Sequence, residues 1–534
     1  MGWDREKAVR RLYYAGNLVV RVVGSTIFLG LVWYSFRYTQ YMLPGGDEIP
    51  MNVYDSVKQN ILCLCLVTGG TAVLLFIERR MERRVQFLVR RVSMLAMIGW
   101  ILLASLWWIH SSAHLPVGDQ AFVYGGASYF IEGWYDFLYS GGYCGMYPHQ
   151  LGLIVLMEGF FKIVGAHNYY AFELLCALLA AGSAYCGYCI LLELTGSTTV
   201  VVSYNILMMG CLPLIFYTSW VYGDIPSIFF ALTAVWMLLR YDRNCKIRYL
   251  VLVVISLVLA MMVRRQSAVM LISVCIAVLL YGILQKDRNI ILAVLLTAAL
   301  SWGVFTAVYK MYEIRSGHEH SKGIPQITWV TMGMQETDGV YGWYNNYPKE
   351  LYYSMNFDSE LTAAAAKADL YDRLKVFRND PAYARRFFRE KVLSQWNQPL
   401  YQALYFNAER PGDYMGPEEG SLADRIGGED YLSVLRICDR VQFIIYVGML
   451  FYFLLAVKKG SNILQHIPAI TVIGGFFLSV LVEAKARYIF PYYIMMFPFA
   501  AYGWYLTIRQ VMFLTDRRSE KDQIVDIEEK RKVA

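Results

Sequence analysis

A single carboxylate, Asp119, stands in 116-PVGDQAFVYGGASYF-130 just after the uncharged run 92-VSMLAMIGWILLASLWWIH-110. Its neighbours are small, apolar or aromatic. Further polar groups recur where apolar runs end. They are Tyr147, His149 and Gln150 in 147-YPHQ-150, Asp224 in 219-SWVYGDIPS-227, and Arg264 with Arg265 in 261-MMVRRQSAV-269. A last group, 483-EAKARYIFPYY-493, holds Glu483, Lys485, Arg487 and Tyr488. A carboxylate within hydrogen-bond reach of a hydroxyl accepts its proton as that hydroxyl attacks. Guanidinium and ammonium groups stabilise the charge that develops on a departing phosphate. Aromatic faces suit the apolar sides of sugar rings. These residue types point to transfer of a sugar from a lipid-linked phosphate. Asp119 would be the base, and Arg487 with Arg264 or Arg265 would hold the phosphate. No GxxxxGK[ST] or HExxH occurs, which sets nucleotide hydrolysis and zinc chemistry aside.

Structural duties compete for the same side chains. An Arg at a helix end can anchor among lipid headgroups. Glu483 and Arg487 stand four apart and can pair with each other. His149 can be a hydrogen-bonded structural residue. Asp224 ahead of Ile-Pro, and Asp119 ahead of a helix beginning near Ala121, both suit an N-cap.

The elements that position these groups lie in a membrane. The chain has 534 residues, 57% apolar, 16% aromatic and only 17% charged. Its apolar runs reach the roughly 17–25 residues that cross about 30 Å of hydrocarbon. Examples are 17-NLVVRVVGSTIFLGLVWYSF-36, 170-YAFELLCALLAAGSAYCGYCILL-192 and 290-IILAVLLTAALSWGVFTAVYKM-311. The fold class is therefore all-α and polytopic. Crossings are expected to begin near residues 17, 59, 92, 170, 199, 225, 247, 267, 290, 441, 465 and 492, which makes twelve. The N-terminal MGWDREKAVRR has no cleavable signal pattern, so the first helix is expected to remain as an anchor. Most cysteines fall inside apolar runs, and Cys186 and Cys189 read as packing residues. Cys144 and Cys438 fall in expected outer loops, which leaves a disulfide open.

Lys and Arg gather in 78-ERRMERRVQFLVRR-91, 240-RYDRNCKIR-248, 286-KDR-288, 458-KK-459 and the tail from 515, while 111–149 has none. The positive-inside rule makes the first set and both termini cytoplasmic, and 111–149 external. The same rule explains the net charge of +7 without nucleic acid. The parity requires 151-LGLIVLMEGFFKIVG-165, with Glu158 and Lys162 at i and i+4, to be a juxtamembrane helix rather than a crossing. Residues 312–440 then form one large outer segment, read as a helical cap. Within it 360-ELTAAAAKADLYDRLKVFRN-379 has helical periodicity, with Leu361, Ala365, Leu370, Leu374 and Phe377 near one face.

In this order, the early acidic Asp119, the Tyr147-Pro-His-Gln-Leu-Gly helix start, 222-YGDIPS-227, 325-PQITWVTMGMQ-335, 340-VYGWYN-345 and 486-ARYIFPYY-493 resemble a known group. It is the GT-C superfamily of integral membrane glycosyltransferases, which contains protein O-mannosyltransferases and the lipid A aminoarabinose transferase. The likeness is greatest to polyprenyl-phosphate-dependent transferases of Gram-positive bacteria and covers roughly residues 92–512. It implies Asp119 as the base, a polyprenyl-phosphate-linked sugar as donor, and a glycopolymer, lipid or protein as acceptor. Many members have a paired Asp-Glu where this chain has Asp119-Gln120, so a metal-independent reaction without a cofactor is expected. Substrate contacts are expected from Tyr147, His149, Gln150, Asp224, Arg264, Arg265, Lys485, Arg487 and Tyr488. The division expected is 1–91, with two additional helices, then a core over 92–311 with its outer loop at 111–169. The cap over 312–440 and the helices and tail of 441–534 follow. The rival reading is a transporter or flippase, which puts polar and charged residues, or broken helices, at mid-membrane and often shows two related halves. A purely structural membrane protein would not need these acids and arginines together.

Overall fold

The computed structural model describes residues 2–43, 48–319, 321–408 and 416–533, with side chains over 7, 9–43, 48–319, 321–405 and 416–513. The described chain is almost wholly helical. Its two small antiparallel hairpins pair Tyr38–Tyr41 with Met51–Tyr54 and Glu336–Thr337 with Val340–Tyr341. Nine described helices are long and apolar enough to cross a membrane, so this is a multi-pass membrane protein. They are Val9–Ser35, Val57–Glu78, Arg83–Ser112, Tyr169–Leu194, Asp224–Asn244, Arg265–Gln285, Arg288–Ser316, Tyr431–Leu455 and Ile463–Leu481.

The three other expected crossings take different forms. Thr198–Met209 and Leu212–Ser219 form a pair bent by 56°. Pro213, near the start of the second piece, cannot continue a helix. Ile247–Val263 is apolar but only 17 residues long. The helix from Phe490 opens with Pro491, Tyr492 and Tyr493 and carries Pro498 inside it, and it is not among the nine.

Tyr169–Leu194, Asp224–Asn244 and Tyr431–Leu455 form the centre, each with two-thirds or more of its apolar stretch buried. Lipid tails are as apolar as Leu, so membrane helices associate through close packing at small residues. At the crossing of Tyr431–Leu455 with the helix from Phe490, a Cβ on Gly503 would stand 2.0 Å from the Gly448 carbonyl oxygen.

The bundle has two unlike ends. At one, the basic loops are tied together. Glu78 accepts from the Thr198 and Thr199 amides, Arg240 and Arg243 reach Glu193, and Asn462 binds Asp242. The other end collects 113–168, 217–224, 264–267 and 482–489. The helix Leu151–Val164 stays at this end. Its Gly152 abuts the Met262 carbonyl, and its Glu158 binds Lys162, Arg315 and Tyr312, the bonds to Lys162 and Arg315 both 2.8 Å long.

Helices extend past their apolar runs, so the large segment expected over 312–440 is bounded by Ser316 and Tyr431. Within it Ser359–Asn379 is helical, but its packed face differs from the expected one. Thr362, Ala366 and Phe377 are buried, while Leu361 and Leu374 are exposed. On the inward side Thr331 donates to the Ala366 carbonyl, and Phe377 packs with Met334, Phe387 and Leu370. Cys144 and Cys438 are both buried free thiols.

Gly503→Val should lower the thermal unfolding midpoint in detergent through overpacking worth about 1–3 kcal/mol. Gly30→Val is the control, since an added Cβ there meets nothing within 4 Å, and it should leave the midpoint unchanged.

Candidate functional site

Gly118, at φ 54° and ψ −129°, turns the chain into the helix Asp119–Glu132, a conformation that suits a residue without Cβ. Asp119 is the first helical residue and makes no capping hydrogen bond, so the cap reading of this carboxylate is not what the structure shows. Its Oδ1 accepts from the Tyr143 hydroxyl at 3.3 Å, and its Oδ2 lies 3.6 Å from Nη2 of Arg487. The two partners differ in exposure: the Asp119 side chain is 45% accessible and that of Arg487 only 4%. Gln120 points the other way, and its amide oxygen accepts from the Val221 backbone at 2.7 Å. The residue standing where a second acid was looked for is therefore a staple between two segments of the site.

Arg487 sits in the short turn Ala486–Tyr488, between the helices Ile467–Leu481 and Phe490–Val533. Its guanidinium lies 5.2 Å from the ring centres of both Trp220 and Tyr222, and 5.7 Å from that of Tyr488. Such faces attract a desolvated cation. Arg487 does not pair with Glu483, four residues before it. Glu483 instead accepts from the Tyr488 hydroxyl at 3.0 Å, and burial pushes its carboxyl up. Lys485 is held by Glu48 at 3.1 Å.

Asp224 is likewise the first residue of its helix and makes no cap. Gly223 approaches so closely that a Cβ there would stand 2.1 Å from the Val263 carbonyl. That contact brings Asp224 onto Arg264, and the two form a buried ion pair with side chains 0% and 7% accessible. Trp220 donates to the second Asp224 oxygen at 3.2 Å. Arg264 and Arg265, adjacent in sequence, part company. Arg265 is exposed, and its guanidinium faces the side-chain amide of Gln326. His149 is half-buried; burial first, then the charge of Arg265, push its imidazole down to about 4, so it is neutral at ordinary pH. Gln150 donates to the Tyr222 hydroxyl, and Tyr147 packs edge-on to Tyr143 at 5.1 Å.

The structure thus gathers Asp119, Gln150, Asp224, Arg264, Arg487 and Tyr488 into one contact network. Arg265 and His149 lie to one side of it and Lys485 to the other. Sequence reasoning did not single out Glu48, Tyr143, Trp220, Tyr222, Gln395, Gln402 or Lys391. The cluster 395-QWNQPLYQ-402, rich in amides in an apolar chain, was the signal that could have found two of them. Lys391 is fully buried in the helix Pro381–Trp396, donates to the Gly333 and Val480 carbonyls, and is pushed down to about 7 by desolvation. Among the described residues no three His, Cys, Asp or Glu side chains gather as a metal-ion site.

No family model matches the chain, and no curated protein matches it significantly.

Removing one partner of a buried ion pair strands the other charge and costs about 3–5 kcal/mol. Arg264→Met and Asp224→Asn should each lower the unfolding midpoint. The double variant should lose clearly less than the sum, since the two residues are in contact. Additive losses in thermal scans would show that the pair is not coupled.

Proposed function

We propose that the protein is a membrane glycosyltransferase that moves a sugar from a polyprenyl-phosphate donor to a glycopolymer, lipid or protein acceptor. The observation that carries this reading is the Asp119–Arg487 pair, an open carboxylate 3.6 Å from a buried guanidinium. In the proposed reaction the acceptor hydroxyl loses its proton to Asp119 while its oxygen bonds to the anomeric carbon. The bond from that carbon to phosphate breaks, and the charge on the departing polyprenyl phosphate is held by Arg487. A phosphate drawn to Arg487 also loosens the hold of that residue on Asp119 and frees the carboxylate to take a proton. The half-buried ring of Tyr147 offers a face for the sugar, while Trp220 and Tyr222 are buried against Arg487. No cofactor enters this scheme.

One observation favours an enzyme over a transporter. Asp224, Arg264 and Arg487 gather at the end of the bundle opposite the basic loops, away from mid-membrane. The proposal places the basic end in the cytoplasm and the site outside, because the short loops rich in Lys and Arg share that end. The bent pair, Ile247–Val263 and the helix from Phe490 would complete twelve crossings, with both termini cytoplasmic. Residues 317–430 would then form an extracytoplasmic cap.

Asp119→Asn keeps the shape of the side chain but cannot take the proton. With a synthetic polyprenyl-phosphate sugar it should transfer about 100-fold more slowly or worse, with a smaller fall in unfolding midpoint than Asp224→Asn because the Asp119 side chain is 45% accessible. Transfer at the wild-type rate would remove Asp119 as the base. Orientation has its own test in intact cells. An impermeant thiol reagent should modify Ser140→Cys and spare Arg84→Cys, both at exposed positions; the reverse pattern would invert the topology.

A further inference from the structure

Residues 1–91 read as an addition to the working core, yet one of their side chains reaches the site. The segment after the hairpin strand Tyr38–Tyr41 passes Met42, whose carbonyl accepts from the Tyr431 hydroxyl at 2.8 Å. It then brings Glu48 to the far side. A single oxygen of Glu48, Oε1, meets two donors there: Nζ of Lys485 at 3.1 Å and Nε2 of Gln402 at 3.2 Å. The other end of the same Gln402 amide accepts from the backbone N–H of Arg487 at 3.2 Å. One carboxylate therefore fastens 485-KAR-487 at two points, the Lys485 ammonium directly and the Arg487 backbone N–H through one amide.

The residue that relays the contact is itself held in an unusual conformation. Tyr401 and Gln402 have φ of 51° and 63°, where side chains other than glycine are strained. Such strain persists only where the surroundings over-determine it, and it clusters at working sites. Gln402 is 1% accessible; its N–H donates to the Gln398 side chain, and its amide reaches Glu48, Met42 and Arg487. The turn has further ties. Gln395 accepts from the Lys485 backbone at 3.3 Å, and Asn397 accepts from the Gln40 amide at 2.9 Å. Both Arg487 and the N-terminal hairpin are thus fastened to 395-QWNQPLYQ-402.

We propose that Glu48 is a positioning residue of the site, fixing Lys485 by an ion pair and Arg487 through the amide of Gln402. Its effect on turnover rests on the transfer reading above; its hold on Lys485 does not. Glu48 touches no reacting atom in this scheme. It acts by keeping two cations where a phosphate must arrive, and a displacement of about 1 Å in such groups costs as much as 100-fold.

The test uses full-length protein in detergent, as wild type, Glu48→Gln and Glu48→Asp. First, Lys485 acetylation by a small amine-reactive reagent is followed by mass spectrometry. Loss of the ion pair in Glu48→Gln should speed it about threefold, with Glu48→Asp between, whatever the protein transfers. An unchanged rate would overturn the proposal. Second, the KM for a synthetic polyprenyl-phosphate sugar should rise about tenfold in Glu48→Gln, with kcat changed far less and with partial rescue in Glu48→Asp. A fall in KM would overturn it in the other direction, because Glu48 would then be competing with the phosphate for Lys485. Unfolding midpoints within error of wild type separate positioning from loss of fold. If wild type transfers nothing while Lys485 still responds to Glu48, the failure lies with the transfer reading and not with the positioning role.

Discussion

Arg487 is a guanidinium almost wholly withdrawn from solvent, at the end of a helical bundle whose surroundings are lipid. An isolated charge in such a place is costly by several kcal/mol unless it is met by opposite charge, hydrogen bonds or polarisable faces. The structure meets it with opposite charge and with aromatic faces. Asp119 stands at 3.6 Å, Asp224 contributes attraction from the buried side, and the rings of Trp220, Tyr222 and Tyr488 lie against the cation. Much of the local architecture follows from that requirement. Asp119 and Asp224 each occupy the first residue of a helix without capping it, because their carboxylates are turned to arginines.

Holding those partners in register needs contacts between segments far apart in sequence. Gln120 ties the start of one helix to Val221, and Gln266 bridges Arg264 to the Tyr488 carbonyl. Gln402 ties Arg487 to Glu48. All three are amides, which donate and accept at once and carry no charge of their own into a poorly solvated region. The amide-rich turn 395–402 extends the same device to the N-terminal hairpin. The ion pairs of the site are in this way embedded in a neutral scaffold that satisfies backbone groups at helix ends, where intrahelical bonds run out.

The two ends of the bundle solve different problems. At the basic end most arginines are exposed or paired with carboxylates at the rim, as Arg240 and Arg243 are with Glu193, and water is close at hand. At the site end Asp224, Arg264 and Arg487 lie deeper and are met by specific partners. Glycines at points of close approach serve those meetings. Gly223 sits against Val263, which delivers Asp224 to Arg264.

The sequence by itself determined the class of molecule and most of its helices, because the length and apolarity of a crossing segment are local properties. Nine of twelve expected crossings are long apolar helices, and the others depart for visible local reasons: Pro213, a length of 17 residues, and a Pro- and Tyr-rich start. It also marked Asp119, Asp224, Arg264 and Arg487 as charges that an apolar chain would not carry idly. Only the tertiary structure decided which charge meets which. Helical spacing offered Glu483 to Arg487, and that offer was declined; the chain left Arg264 and Arg265 as alternatives, and the fold turns Arg264 to Asp224 and Arg265 to Gln326. A pairing across a hundred or more residues depends on how helices cross, and no local pattern encodes it. Glu48 shows the same limit: nothing around it in the chain is unusual, and its significance lies in the two donors that the fold brings to one of its oxygens.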